Sequence, residues 1–319
     1  MQKKDTIMTL FRGSPAKKES VLTSVTGAEN SRVMVAVGLL SPPSNALLRF
    51  HGKGRITQRL FDHDASSHRP TREYSAKELS RKATMHLQTR RTHKATNLDD
   101  VSRAKFFLEL AIAKDPSCVE ALCNLGLLLH SWLHDERGAA ELYEKALASD
   151  PQHTDTLCNY AFLSLHSEPQ SDAKAEQLLL TCLEVDSKHV GALCNYGLLI
   201  EKKYQDKGAA EEIYRKALLL DPNHVQSLFN LANLLVGVEK LLEGMETYKR
   251  VLSVDPGHLD AMCNLAILQH RACHDHAAAE HYFSECLKLH PMHSLTLASY
   301  ASLKLEQRDT EAAIELYRK

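Results

Sequence analysis

The sequence lacks the features that mark membrane-spanning and secreted proteins. Its longest apolar run, residues 33–40, is far shorter than the roughly 18 residues that a membrane-spanning helix needs. That run also lies too far from the N-terminus, without a clear small-residue cleavage site, to serve as a secretory signal. We therefore expect a protein that neither spans a membrane nor enters the secretory pathway.

The sequence also lacks the common catalytic motifs. It contains no phosphate loop of the type G-x-x-x-x-G-K-S/T, no dinucleotide motif G-x-G-x-x-G and no nucleophile motif G-x-S-x-G. Its carboxylates are spread over helix faces without an obvious catalytic pair. We expect the chain to be no enzyme, with no catalytic residue and no cofactor.

Cysteine is absent from both ends of the chain. All eight cysteines lie between Cys118 and Cys286, which is too sparse for a small secreted domain held by disulfides. This usage favours a reducing compartment, and we predict a cytoplasmic protein. A nuclear or organellar location is the alternative, because the N-terminal region is rich in Arg and Ser. Asp5 and Glu19 are, however, atypical of a transit peptide.

Neither charge dominates the whole chain, yet the two signs are separated along it. Residues 1–97 carry 18 Lys/Arg against 7 Asp/Glu, which is +11, and residues 98–319 carry 21 against 33, which is -12. With 20 Ser/Thr and only 19 Leu/Ile/Val/Phe, residues 1–97 are predicted to form a mostly disordered basic arm with a short helix over 77–89. The arm is a candidate for weak nucleic-acid binding. A second hypothesis is that it folds back onto the acidic body and occludes a binding groove.

A repeat fills the rest of the chain. The dipeptide Asp-Pro, or a variant of it, recurs with steps of 34 to 36 residues, and an anchor of the type A-L-C-N follows six residues after each. Two amphipathic stretches lie between junctions, as shown by Leu122, Leu125 and Leu129 at helical spacing. Proline ends the second helix because it disfavours the helical conformation in the preceding residue. The dipeptides begin at Asp115, Asp150, Asp186, Asp221, Asp255 and His290.

These units resemble the tetratricopeptide repeat family. The match consists of L-x-x-L-G in the first helix, A-x-x-x-Y-x-x-A-L in the second and D-P at the junction, as in residues 122–151. It covers residues 98–319 and implies an all-α fold, a right-handed α-solenoid (superhelix) of stacked helix-turn-helix units. We expect about six repeats, a half repeat at residues 98–114 and a truncated last repeat. Helical repeats that read RNA base by base are the alternative, but their junctions have the form G-x-x-P-D.

The resemblance implies a scaffold for protein–protein interactions. An abrupt end in the last repeat supports a second hypothesis. In that hypothesis the chain is the targeting region of a larger enzyme, such as a peptide O-GlcNAc transferase, whose catalytic domain is absent from this chain.

One asparagine recurs in the middle of the first helix, although Asn is a mediocre helix former. In the family resembled, this position faces a concave groove, and in peptide O-GlcNAc transferases such asparagines hold the backbone of an extended peptide. An amide offers one acceptor and two donors, which suits a peptide unit. The alternative is that the amides satisfy turns of their own repeat. The array consists of Asn124, Asn159, Asn195, Asn230 and Asn264, with Ser299 in the sixth unit.

Neighbouring groove positions set the kind of ligand. Acidic residues lie near the helix starts, and mainly apolar residues lie one helical turn after the asparagines, so we expect an apolar or basic extended segment of another protein. Chaperone-binding members of the family hold an acidic tail through Lys and Arg. The Lys positions are Cys or Gly here, and we do not expect an acidic chaperone tail to bind. The acidic residues at the helix starts are Glu120, Asp155 and Asp260. The residues one helical turn after the asparagines are Leu127, Phe162, Leu198, Asn233 and Ile267.

Cysteine also recurs at one position in four of the six units, and histidine at another position in five. Equivalent positions on stacked helices lie about 8–10 Å apart, beyond the roughly 7 Å at which two cysteines can be bridged. We therefore interpret the cysteines before the asparagines as small apolar lining, and the histidines three residues after the Asp of each junction as helix-start packing. A separate cluster contains thiol and imidazole groups that suit zinc or copper, but its spacing matches no standard zinc finger, and we expect no metal. The cluster is His270, Cys273, His274, His276 and His281.

Overall fold

The computed structural model of the protein describes residues 74–88, 98–166 and 171–319. These residues form fourteen α-helices and no strand. None of the described helices is both long and apolar enough to cross a bilayer. Most of the predicted basic arm, residues 1–73 and 89–97, lies outside the described residues.

The helices pair into seven hairpins, in which a second helix packs along a first. Each second helix also packs against the first helix of the next hairpin, and successive first helices contact one another. This consecutive packing confirms the predicted all-α solenoid of helix-turn-helix units. The hairpins are α1–α2 (Ala76–Gln88, Leu98–Lys114), α3–α4 (Val119–Leu133, Glu136–Ser149), α5–α6 (Thr154–His166, Asp172–Val185), α7–α8 (Val190–Tyr204, Lys207–Leu220), α9–α10 (Val225–Gly237, Leu241–Val254), α11–α12 (Leu259–Arg271, His276–Leu289) and α13–α14 (Ser294–Glu306, Thr310–Arg318).

The first hairpin begins before the boundary that the charge pattern indicates. Helix α1 corresponds to the short helix predicted inside the arm, and it packs on α2. Leu79 and Ala83 of α1 are fully buried in the same apolar cluster as Leu108 of α2. The half repeat predicted at residues 98–114 therefore has a first helix, which the sequence pattern did not reveal because α1 lacks both recurring anchors.

The Asp-Pro junctions have a common geometry. The backbone N–H of Gln152 donates to Oδ1 of Asp150 at 3.0 Å, and that of Asn223 donates to Asp221 in the same way at 3.0 Å. Such a bond from the residue two positions on closes a tight turn, while the proline prevents the preceding helix from continuing. The same contact forms at Asp115, Asp186 and Asp255.

Four of the five recurring histidines, His153, His189, His224 and His258, cap their first helices, and His293 does not. The backbone N–H of Ala192 donates to Nδ1 of His189 at 3.0 Å, and the equivalent bonds at His224 and His258 are 3.2 and 3.3 Å long. An N-cap acceptor satisfies one of the N–H groups that have no partner within the helix. Only a neutral imidazole nitrogen can accept, and burial lowers the pKa of His224, which favours that neutral form.

Glycine allows the two helices of a hairpin to approach closely. A Cβ atom at Gly197 would lie 2.7 Å from Cε1 of Tyr214, and one at Gly126 would lie 2.7 Å from Cε1 of Tyr143. Both tyrosines are fully buried between their own hairpin and the next. The apolar core therefore lies between the row of first helices and the row of second helices.

Candidate functional site

The recurring asparagines occupy one position in five consecutive first helices, α3, α5, α7, α9 and α11. Asn195, Asn230 and Asn264 are buried, and Asn124 and Asn159 are half-buried. We call the surface that they share with Leu127, Phe162, Leu198 and Asn233 the Asn face.

Each amide nitrogen donates to the preceding hairpin. Nδ2 of Asn159 lies 3.5 Å from Sγ of Cys123, and Nδ2 of Asn195 lies 3.4 Å from both Sγ and the carbonyl oxygen of Cys158. Within the described residues, none of the five amides bonds to a turn of its own hairpin, contrary to the alternative interpretation. The remaining donations run from Asn124 to Ser80 Oγ at 3.0 Å, from Asn230 to Cys194 Sγ at 3.5 Å, and from Asn264 to Asn233 Oδ1 at 3.2 Å and Tyr248 Oη at 3.1 Å.

The amide oxygens are less engaged than the nitrogens. Among the described residues, only Asn230 of the five has a partner for its oxygen, and that is Nε2 of Gln226 at 2.9 Å. No described group donates to Oδ1 of Asn159, Asn195 or Asn264, and these oxygens are not among the buried polar atoms that lack a partner. A bond to the neighbouring hairpin holds each nitrogen, which fixes the orientation of the amide and leaves the oxygens of Asn159, Asn195 and Asn264 without a described donor.

The cysteines before the asparagines do more than line the core. Cys158 and Cys194 are buried free thiols, and burial raises the pKa of Cys194 to about 11. Each sulfur therefore stays protonated near neutral pH and accepts an amide N–H from the next hairpin. Sequence reasoning missed this role because the two residues are 36 or 37 positions apart and are brought together only by stacking.

Apolar side chains are partly exposed beside the first three amides. Leu127 is 41% exposed, and Phe162 and Leu198 are half-buried. The Phe162 ring packs 4.3 Å from the ring of His166. Asn233 differs from this apolar series, because its oxygen accepts from the Tyr248 hydroxyl and from the next asparagine.

Acidic side chains lie at the starts of the same helices. Oε1 of Glu120 is 3.5 Å from Nζ of Lys77 on α1, and Nε2 of His189 donates to Oδ1 of Asp155 at 3.2 Å. The cap at His189 fixes this tautomer, because its Nδ1 accepts and the proton is therefore on Nε2. The bond from His189 lowers the pKa of Asp155 and keeps it ionised.

Comparison with known proteins connects this geometry to a family. The structure is similar to PilF of Pseudomonas aeruginosa, at 21% identity over 71% of this chain and 97% of that chain with a TM-score of 0.53. It is also similar to PilW, a type IV pilus biogenesis factor, at 19% identity over 69% of this chain and 96% of that chain with a TM-score of 0.54. These likenesses are of fold alone, and no curated protein matches the sequence.

A tetratricopeptide repeat protein of Parabacteroides merdae has the same fold, at 21% identity over 76% of this chain and 91% of that chain with a TM-score of 0.51. The family model of the tetratricopeptide repeat matches residues 190–224. The chain contains a tetratricopeptide repeat and has the fold of that family. Proteins with this fold bind other proteins and are generally non-catalytic, and the fold supports a scaffold for protein–protein interactions.

The histidine cluster lies where α11 ends and α12 begins. Its side chains do not converge, and within the described residues no group of three His, Cys, Asp or Glu side chains is arranged to hold a metal ion. Cys273 is exposed, whereas His270 is buried and neither of its ring nitrogens has a hydrogen-bond partner. The rings of His270 and His276 are 5.6 Å apart.

Burial is the main reason why the pKa of His270 is lowered from 6.5. Glu306, whose Oε1 lies 3.4 Å from Nε2 of His270, opposes this change, and the positive charge of Arg271 adds to it. The unfolded chain therefore binds a proton at a higher pH than the folded chain does. The free energy of unfolding that this difference contributes is fully present above the pKa of His270 in the unfolded chain. It is lost as the pH falls through the pKa of His270 in the folded chain.

Replacing His270 with leucine is expected to reduce the fall in unfolding free energy between pH 7.5 and pH 5, because the buried group can no longer bind a proton. Urea unfolding at several pH values, followed by circular dichroism, measures this slope. His281→Leu on the exposed surface of α12 is the matched control. An identical pH dependence in wild type and the His270 variant would contradict the assignment.

Proposed function

We propose that this scaffold binds an extended segment of another protein along the Asn face. The observation that carries the proposal is the set of amide oxygens on Asn159, Asn195 and Asn264, which accept no bond from the described residues while their nitrogens are held by the preceding hairpin. Backbone N–H groups of an extended chain are suitable donors to these oxygens.

The spacing of the array suits an extended backbone. Stacked helices lie about 8–10 Å apart, and an extended chain advances about 3.3 Å per residue. One amide therefore meets roughly every third residue of a ligand. Each such bond contributes only about 0.5–1.5 kcal/mol, so binding depends on several amides at once. The bonds to neighbouring hairpins orient the amides before binding, which reduces the entropy lost when a ligand is captured.

Groups beside the array favour an apolar or basic ligand. The exposed surface of Leu127, Phe162 and Leu198 gives contact area for apolar side chains. Glu120 and Asp155 place carboxylates at the helix starts, where basic side chains would bind and acidic ones would be repelled. We therefore favour an apolar or basic segment over an acidic tail. The cytoplasmic location stays a prediction.

Replacing Asn159, Asn195 and Asn264 together with alanine is expected to weaken ligand binding at least tenfold, because an array of small contributions loses three acceptors. The ligand is a peptide selected by phage display on the full chain and then synthesised with a fluorescent label. Fluorescence anisotropy gives its Kd for wild type and variant.

Asn223→Ala is the matched control, because it removes an exposed amide from a junction turn and leaves the Asn face intact. Circular dichroism of the triple variant should match that of wild type, since the three substitutions remove side-chain bonds between hairpins and no backbone bond within a helix. Unchanged affinity in a folded triple variant would show that the array has no part in binding.

A further inference from the structure

Residues 35–50 have the composition that the Asn face favours in a ligand. They read V-A-V-G-L-L-S-P-P-S-N-A-L-L-R-F, contain no acidic residue, and carry one basic residue, Arg49. We propose that this segment occupies the Asn face of its own chain and competes with external ligands. The inference rests on the proposed function and adds to it an internal competitor of defined sequence.

The described surface offers matching groups for both parts of the segment. Leu127, Phe162 and Leu198 are partly exposed and lie in three consecutive hairpins, so they can contact aliphatic side chains of one extended strand. The carboxylate of Asp155 is 72% exposed and has a lowered pKa, so it is available as an anion for Arg49. The free amide oxygens between these groups accept the N–H groups of the strand.

Backbone chemistry favours an extended conformation in this segment. Pro42 and Pro43 have no N–H, and a proline disfavours the helical conformation in the residue before it. Such sequences tend to adopt an extended polyproline-type backbone, which needs less ordering on binding than other sequences do. An extended strand is the form that an array of single amide contacts recognises.

Charge attracts the segment to the described helices. Residues 1–73, which precede the first hairpin, carry 12 Lys/Arg against 6 Asp/Glu, which is +6, and residues 98–319 carry -12. Opposite charges of this size raise the encounter rate, and salt weakens the attraction because the Debye length is about 8 Å at physiological ionic strength. Competition by the segment should therefore be stronger at low salt.

The tether between the segment and the first hairpin is long enough. The 23 residues 51–73 separate the segment from Tyr74, and at about 3.3 Å per residue they span up to roughly 75 Å. Five hairpin spacings of about 8–10 Å separate the first hairpin from that of Asn264 and amount to at most about 50 Å. The segment can therefore reach every asparagine of the array.

A weak internal ligand is sufficient to compete. A tether of this length gives an effective concentration in the millimolar range. If the segment binds with a Kd of about 0.1 mM, it occupies its site about 90% of the time and raises the apparent Kd of an external ligand about tenfold. Removing its apolar side chains should lower that apparent Kd by the same factor.

The test uses the full chain with Val37, Leu40 and Leu47 replaced by aspartate. The probe is a fluorescent synthetic peptide with the sequence of residues 35–50, and anisotropy gives its Kd. We expect the arm variant to bind the probe about tenfold more tightly than wild type. Thr57→Asp, Ser66→Asp and Ser67→Asp together form the matched control, which makes the same charge change in the same arm and should behave as wild type.

Three results would overturn the inference. The first is a probe that binds neither protein, and the second is equal affinity for wild type and the arm variant. The third is a wild-type dimer in sedimentation that the arm variant does not form, because the segment would then occupy a second copy. If the phage-selected peptide binds in an Asn-dependent way but with equal affinity to wild type and the arm variant, only this inference fails. If no peptide binding depends on the array, the proposed function fails as well.

Discussion

Replacing Tyr214 with alanine is expected to lower the free energy of unfolding by about 3–5 kcal/mol, the range found when a large buried aromatic side chain is removed. Tyr214 is fully buried between α7, α8 and the next hairpin, and it fills the space left by Gly197. The alanine variant leaves a cavity that rigid helices cannot close. Urea unfolding monitored by circular dichroism at 222 nm measures the loss.

Tyr317→Ala is the control for this prediction. Tyr317 lies in α14 and is 58% exposed, so its loss removes little buried area. We expect a change below about 1 kcal/mol. If both variants unfold at the same urea concentration, Tyr214 does not have the packing role that its burial indicates.

A valine at Gly197 is expected to destabilise the protein by about 3 kcal/mol, because an added side chain in a filled core forces its neighbours to move. The Cβ atom would lie 2.7 Å from Cε1 and 2.9 Å from Cδ1 of Tyr214, and this ring is fully buried. Thermal or urea unfolding of the full chain measures the effect.

Gly208 provides the comparison within the same hairpin. It lies in α8, and the nearest atom to an added Cβ is Oδ1 of Asp206 at 3.6 Å, an ordinary contact. Alanine there should stabilise the helix by roughly 0.5–1 kcal/mol. The double variant Gly197→Val with Tyr214→Ala should lose less stability than the sum of the single variants, because both act on one contact. Strict additivity would show that glycine and tyrosine are not coupled.

The hairpins could be predicted because their signals are local. Asp before proline specifies a turn, and apolar residues three and four apart specify an amphipathic helix, so the elements between residues 98 and 319 were identified correctly. Helix α1 was assigned to the arm instead, because its packing on α2 depends on residues such as Leu79 that belong to no recurring anchor. The histidines were located, but their capping bonds required the backbone geometry of the turn.

The candidate site could be predicted only in part. Recurrence indicated that the asparagines share one surface, since equal spacing places them at equal positions in stacked units. It did not indicate that Asn195 donates to Cys158 in the preceding hairpin, because that contact depends on the distance and angle between hairpins. Nor did it separate Asn233, whose oxygen is already engaged, from the apolar residues at equivalent positions.

The bonds between Asn195 and Cys158 and between Asn230 and Cys194 give the array a mechanical property. These bonds are long, and the hairpins that they connect also touch through apolar surface and through ion pairs such as Lys203–Glu176 and Lys240–Glu211. A pulling force along the chain would strain the contacts between hairpins before it unwound a helix, since the bonds within helices are more numerous. The amide oxygens would then separate and lose their common spacing. On the proposed function, tension would therefore release a bound segment while the hairpins are still folded.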